Sequence, residues 1–272
     1  MSIDRITDPD DPRVADFLGL PDAVLLRERK VFVAEGRLVV KRLLRATRFR
    51  PRSLLVTKAA LTALEHDLAI YPGVISVYLA TPDFIEHICG FKFHRGCLAI
   101  GERPASLAMG KLLGGVSLHN PLIVAERISD ADNVGSIFRN ASAFGASAVV
   151  LSRGCCDPLY RKALRTSMGA CLQVPFTTLN DWPDGLEILR RCGYHLVALT
   201  TDTKASPLER FIIPTEARGV ALLLGSEGDG LSESVLALAD SSLRINIKTT
   251  VDSLNVATAS AVALYHLRGL MH

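Results

Sequence analysis

The chain is 272 residues long, 49% hydrophobic and 22% charged, with a formal net charge of +3; it can bury a substantial core in one large or two smaller domains, which argues against disorder beyond the termini. Its six cysteines, Cys89, Cys97, Cys155, Cys156, Cys171 and Cys192, form no CxxC pair and have no histidine at zinc spacing, so neither a metal centre nor a disulfide framework is expected. Residues 1–12 are acidic and polar with no signal core, and no apolar run reaches membrane-spanning length, so we expect a reduced, cytoplasmic protein without a membrane partner.

In chain order, strand-like runs at residues 31–33, 53–56, 74–78 and 97–100 alternate with helix-like segments at 37–46, 58–64 and 82–88. This alternation predicts a small α/β sandwich over residues 1–104. The same third of the chain carries the basic charge: between Arg27 and Lys58 there are eleven Lys or Arg against two Glu. Such a run meets phosphate or is simply a solvated face. Residues 105–117 are rich in chain breakers and read as a linker with at most a short helix around 107–113. Beyond it, residues 118–272 show strands at 122–125, 148–151, 195–199, 220–224 and 243–247 separated by helices. Continuous apolar runs such as Val220-Ala221-Leu222-Leu223-Leu224 fit strands buried on both faces of a parallel sheet.

Three polar strand-to-helix junctions in the second region predict a pocket at one edge of its sheet. The first is Asn133-Val134-Gly135-Ser136-Ile137-Phe138-Arg139. In its helix, Ile137, Ala141 and Phe144 recur at core spacing, which leaves Ser136, Arg139 and Ala143 outward; Asn133 reads as a helix cap or a ligand-facing group. The second, Gly225-Ser226-Glu227-Gly228-Asp229-Gly230, lets backbone approach a ligand. It matches neither GxGxxG nor a P-loop, and an ordinary turn is the plainer reading. The third runs through Ser253-Leu254-Asn255 into a helix whose first turns are almost all small residues; Asp252 or Ser253 would cap it.

In order and spacing, these segments resemble the SpoU, or TrmH, branch of the SPOUT methyltransferases. The first motif is matched by Asn133, Gly135, Arg139, Ala141 and Phe144-Gly145, and the second by Gly225, Glu227, Gly228, Gly230 and Leu231. The third is matched at Ile245 and at Ser253-Leu254-Asn255-Val256. It departs from the family where Pro, Met and Gly are replaced by Asn246, Ile247 and Thr249: contacts through backbone survive such a change, while loss of the Gly restricts the chain. The N-terminal part is similar to the family's L30e-like RNA-binding domain, on Val31-Phe32-Val33-Ala34-Glu35-Gly36-Arg37-Leu38-Val39 and His94-Arg95-Gly96-Cys97.

The resemblance implies a deep trefoil knot near the C-terminus, a homodimer through the C-terminal domain, and S-adenosylmethionine (S-adenosyl-L-methionine) as the cofactor. The implied reaction is methyl transfer to an RNA ribose 2′-hydroxyl, with 23S ribosomal RNA as first substrate and transfer RNA as second. A catalytically silent RNA-binding or ribosome-assembly protein is the reading from another class. Arg139, Asn133, Glu227, Ser253 and Asn255 are the implied catalytic set, and Gly225, Ile245, Ile247 and Leu254 the cofactor set. Arg37, Lys41, Arg42, Arg45, Arg48 and Arg165 are the expected RNA contacts; Ser167 and Gly169 read equally as another wall of that site or as packing.

Overall fold

The computed structural model describes residues 2–90, 96–248 and 250–271; His94, Arg95 and Thr249, singled out above, lie outside them. The described chain forms two units, one of residues 1–105 with 158–173 and the other of residues 106–157 with 174–272.

In the first unit, five strands, β1 (Ser2–Arg5), β2 (Val31–Glu35), β3 (Arg50–Val56), β4 (Ser76–Leu79) and β5 (Cys97–Glu102), form a mixed sheet of order β1-β4-β3-β5-β2. The β1–β4 and β4–β3 pairings are parallel, while β5 runs antiparallel to both β3 and β2. Val33, Leu55, Leu98 and Ile100 supply core side chains from the sheet, and Ile85 and Ile88 cover them from the helix Pro82–Cys89. Thr57 and Thr81 cap the helices Lys58–Ala69 and Pro82–Cys89 by accepting from Ala60 N and Phe84 N, and Gly90, at φ +74°, ends the second. The polar β1 docks on β4 although its sequence offers no apolar alternation. Strand β4 starts later than its pattern predicts, since Val74 is exposed and only Ile75 is buried.

The helix Arg161–Thr166, which the sequence places in the C-terminal region, packs in this unit against β2. Ser167 closes it: the hydroxyl is fully buried, donates to Leu164 O at 3.0 Å and accepts from Gly169 N at 3.2 Å. Gly169 sits at φ +87°, where a Cβ would lie 3.0 Å from Arg42 Cδ and 3.4 Å from Val39 Cα. Ser167 and Gly169 are therefore packing residues, and Arg165 alone of that trio is exposed.

The second unit holds β6 (Leu122–Ala125), β7 (Ala148–Ser152), β8 (Phe176–Leu179), β9 (Tyr194–Leu199), β10 (Ser206–Pro207), β11 (Gly219–Leu224) and β12 (Ser241–Arg244). Their order is β10-β12-β9-β11-β6-β7-β8, and every pairing is parallel. Strands β6, β7 and β11 are buried throughout, as apolar runs in a covered parallel sheet should be. The expected strand at 243–247 stops at Arg244, because its outer neighbour β10 is two residues long and ends at Pro207, opposite Arg244. Two helices, Ala131–Phe144 and Val256–Leu270, lie against each other. Asn140 joins them, its Nδ2 donating to Ala257 O at 2.7 Å and Ser260 Oγ at 2.9 Å. The small residues opening the last helix permit that approach.

Within the 105–117 stretch, Met109–Gly114 is helical with Leu112 buried. All six cysteines are free thiols; burial pushes Cys97 up to about 12 and Cys89 up to about 11, which leaves both unreactive at neutral pH. Among the described residues no helix is long and apolar enough to cross a membrane.

Candidate active site

The carboxyl ends of β9, β11 and β12 open into a cleft of about 680 Å³, at the edge of a parallel sheet where ligand sites form. Gly225, Ile245, Ile247 and Leu254 line it, together with Glu227 and Ser253. Asn255 is the joint of the site. Its Oδ1 caps the helix Val256–Leu270 by accepting from Ala257 N at 2.9 Å and Thr258 N at 3.3 Å. Its Nδ2 donates to Asn133 Oδ1 at 2.9 Å and to Glu227 Oε1 at 2.6 Å. One amide thus ties together residues 133, 227 and 255 from three distant stretches of sequence, using one acceptor and both donors.

That arrangement corrects one cap assignment and decides between the two readings of Asn133. Asn255, not Asp252 or Ser253, caps the last helix. The helix Ala131–Phe144 is capped by Asp130, whose Oδ1 accepts from Asp132 N at 2.6 Å and Asn133 N at 3.1 Å, so the Asn133 side chain is left for the site. Arg139 lies on the exposed side of that helix, opposite the buried Ile137, Phe138 and Ala141. It does not line the cleft, and it makes no hydrogen bond or ion pair among the described residues.

The glycine-rich loop is shaped by its own backbone. A Cβ on Gly225 would lie 2.1 Å from the carbonyl carbon of Gly230, because Ser226 N donates to Gly230 O at 3.2 Å and Gly230 N to Ser226 O at 3.0 Å. Gly225 is needed for loop closure before any ligand approaches. The loop is fixed at its far end by Glu126, a 3% exposed carboxylate that follows β6. Glu126 accepts from Ser232 N and Ser232 Oγ, both at 2.8 Å, and from Trp182 Nε1 at 2.9 Å. Ser232 in turn caps the helix Glu233–Leu238. The sequence reading missed Glu126; its signal was a lone charge closing an otherwise apolar strand. It also missed Thr200, Thr201 and Thr203, which line the cleft after β9 and belong to no motif.

The departure at the third motif has a structural consequence. The Arg244 guanidinium donates to Ala205 O at 3.0 Å and to Asn246 Oδ1, and Asn246 Nδ2 donates to Glu209 Oε1. A backbone bond within Glu209 and this amide hold its carboxyl below the usual carboxylate range against the opposing effect of burial. Side-chain ties from Asn246 therefore secure the wall in which Ile245 and Ile247 sit.

In the first unit the basic stretch is partly consumed by internal pairing. Arg45 Nη2 lies 2.6 Å and Lys41 Nζ 3.3 Å from the buried Asp67 carboxylate, and Arg165 Nη1 lies 3.6 Å from Glu35. Arg48 is half-buried against the Phe49 ring, and burial, then Arg103, lowers its pKa. Arg42 packs along Gly169, and Arg37 is exposed. Burial alone would raise the Asp67 carboxyl, but hydrogen bonds from Arg45 and Lys41 outweigh it and hold the group below its usual value. A lowered carboxyl contributes stability that is present above the unfolded value, about 3.9, and is lost as pH falls through the lower folded value. Asp67→Asn should therefore destabilise by about 1–2 kcal/mol at neutral pH, discounted for the exposed cations. In urea titrations the gap to the parent protein should close towards pH 3; a gap that persists unchanged there would mean that packing, not charge, is lost.

Residues 120–265 match the SpoU rRNA Methylase family. The chain is 40% identical over 272 residues to an uncharacterized tRNA/rRNA methyltransferase of Mycobacterium tuberculosis, covering 97% of this chain and 91% of the relative. A putative RNA methyltransferase of the TrmH family from Porphyromonas gingivalis superposes with a TM-score of 0.80 at 26% identity, over 96% of this chain and 98% of that one. An AdoMet-bound rRNA methyltransferase from Sinorhizobium meliloti shares the fold, with a TM-score of 0.78 at 24% identity over 98% of each chain.

Proposed function

The chain belongs to the SpoU rRNA Methylase family, and we propose that it transfers a methyl group from S-adenosylmethionine to a ribose 2′-hydroxyl of RNA, ribosomal RNA first and transfer RNA second. The observation that carries this reading is the Asn255 amide bound at once to Asn133 and Glu227 beside the cleft, which assembles the three motifs into one polar corner.

The cleft fits the cofactor. Leu199, Leu224, Leu236 and Leu254 offer apolar surface, the backbone around Gly225 and Ile245 offers hydrogen-bonding groups, and the volume suits a ligand of this size. When bound, S-adenosylmethionine supplies a methyl group on a cationic sulfonium, with a neutral thioether as leaving group. Ile245, Ile247 and Leu254 would hold its adenosyl part. Asn133, Glu227 and Ser253 orient the ribose, with Glu227 accepting from a hydroxyl. Arg139 is permanently cationic, so it binds the neighbouring phosphate and stabilises charge developing on the 2′-oxygen instead of abstracting its proton.

The exposed Arg37 of the first unit and its partly exposed neighbour Arg42 supply electrostatic attraction for RNA. Val262, Tyr265 and Leu270 leave apolar surface open on the last helix, which supports a homodimer through the C-terminal unit. The replacement of the third motif's Pro, Met and Gly supports a second reading, an RNA-binding protein that does not methylate.

One experiment separates these readings. Labelled S-adenosylmethionine is incubated with the protein and undermodified ribosomal RNA or transfer RNA, and 2′-O-methylated positions are mapped by nuclease digestion. Label at one ribose in one RNA is the expected result. Failure of the protein to bind the cofactor at all would favour the silent RNA-binding reading.

A further inference from the structure

Arg127 belongs to none of the three motifs, yet it stands at the same edge of the sheet. Strands β6 and β11 pair in parallel with Ala125 opposite Leu224, and Glu126 N donates to Leu224 O at 2.8 Å. The turn that follows β6 and leads to Asn133 therefore starts beside the glycine-rich loop that carries Glu227. The Arg127 guanidinium bridges the two, its Nη1 lying 3.7 Å from Asp229 Oδ2.

The backbone beneath this side chain is held against its own preference. Arg127 has φ +54°, a left-handed conformation that glycine adopts freely and arginine adopts at a cost. Its surroundings enforce it. Arg127 N donates to the buried Ser152 Oγ at 2.9 Å, and Glu126 before it is fixed by Ser232 and Trp182. After it, Ile128 N donates to Cys155 Sγ at 3.3 Å, and Ile128 O accepts from Cys156 N at 2.8 Å. Gly154 completes the seat: a Cβ there would lie 3.1 Å from Arg127 Cγ, so a glycine leaves room for the arginine stem.

The charged end, by contrast, is barely engaged. The Arg127 side chain is 46% exposed and that of Asp229 77%; their separation is beyond hydrogen-bond reach, and an exposed pair of this kind contributes little. Arg127 makes no other side-chain hydrogen bond or ion pair among the described residues. A turn that suits glycine but carries an arginine, with its stem seated and its head loosely paired, positions a cation for a ligand. Asp229 lines the cleft and Arg127 does not, so the guanidinium lies at the rim, outside the cofactor pocket. The anion that meets the rim is the RNA backbone.

We propose that Arg127 is a second phosphate-binding residue of the methyl-transfer site, which exchanges Asp229 for a backbone phosphate when RNA binds. The inference rests on the RNA-methyltransferase reading for the identity of the polymer. Asp229 holds the guanidinium at the mouth while the site is empty, and the looseness of the pair makes the exchange cheap.

The test uses the full chain, with filter binding to undermodified ribosomal RNA and to transfer RNA at several salt concentrations. Arg127→Gly should weaken binding of the preferred RNA about tenfold, as expected for one hydrogen-bonded charge, and lower the salt slope by about one. It should melt no lower than the parent, because glycine takes the turn without strain, and bind S-adenosylmethionine as the parent does. Asp229→Asn should do the opposite and tighten RNA binding about two- to threefold by freeing the guanidinium. A different pattern follows if Arg127 only latches the glycine-rich loop: both variants would weaken RNA binding alike, and cofactor affinity or melting temperature would fall with it. That pattern, or an Arg127→Gly variant with the parent's RNA affinity and salt slope, would overturn the proposal while leaving the methyltransferase reading in place. A parent protein that binds neither RNA would instead remove that reading and the proposal with it.

Discussion

Arg139→Ala should lower single-turnover methyl transfer by about two to three orders of magnitude, the range found when a preorganised group facing developing negative charge is removed. The same variant should keep its melting temperature and its cofactor affinity. Arg139 is exposed and has no hydrogen-bond or ion-pair partner among the described residues, so truncation removes no internal contact, and surface changes of that kind stay within about 0.5 kcal/mol of the parent. Arg139→Lys should rescue only a small part of the rate, because an ammonium cannot span a phosphate and the 2′-oxygen as a planar guanidinium can. Rates are read under single-turnover conditions with saturating RNA, and cofactor binding by calorimetry. Turnover close to the parent in Arg139→Ala would remove this residue from the mechanism, while a coupled loss of stability would show that its role is structural.

Much of the fold was legible because burial writes itself into strand composition. The runs that became β6, β7, β9 and β11 are nearly uninterrupted apolar residues, and a strand covered on both faces can be little else. The strands that escaped notice are edge elements: β1, β8 and β10 lie at the borders of their sheets, where polar residues are tolerated. The motif residues were visible, yet their division of labour was not. Asn133 and Asn255 are the same residue type at two helix starts, and only the geometry shows that one caps its helix while the other is released by Asp130. Lys41 and Arg45 look equivalent to Arg37 in sequence, but Asp67, more than twenty positions away, engages the first two. Glu126 and Asn140 work through partners roughly a hundred residues distant, a separation that no local pattern encodes.

The glycine-rich loop permits the sharpest structural prediction, since its three glycines differ in what they require. Gly228 has open space where a Cβ would go and no positive φ, so Gly228→Ala should change stability by no more than about 0.5 kcal/mol. Gly230 also has open space but sits at φ +67°, so alanine there should cost about 1 kcal/mol from conformation alone. Gly225 is the opposite case. Its φ is ordinary, but an added Cβ would meet the carbonyl carbon of Gly230 at 2.1 Å and the Leu231 nitrogen at 2.2 Å. Those are backbone atoms, which cannot swing aside as a side-chain tip can. Gly225→Ala must therefore break the Ser226–Gly230 bridge and push the 226–230 loop off its seat, carrying Glu227 away from the Asn255 amide. We expect a loss of about 1–3 kcal/mol, typical of overpacking, and cofactor affinity reduced by more than about tenfold, since at least one tie of about 1.4 kcal/mol is lost from the cleft. Thermal denaturation and calorimetric titration of the three alanine variants should rank Gly225 far above Gly230, and Gly230 above Gly228. Parent-like affinity in Gly225→Ala would mean that the loop can be rerouted without touching the cleft, and that the Asn255 bridge does not define the site.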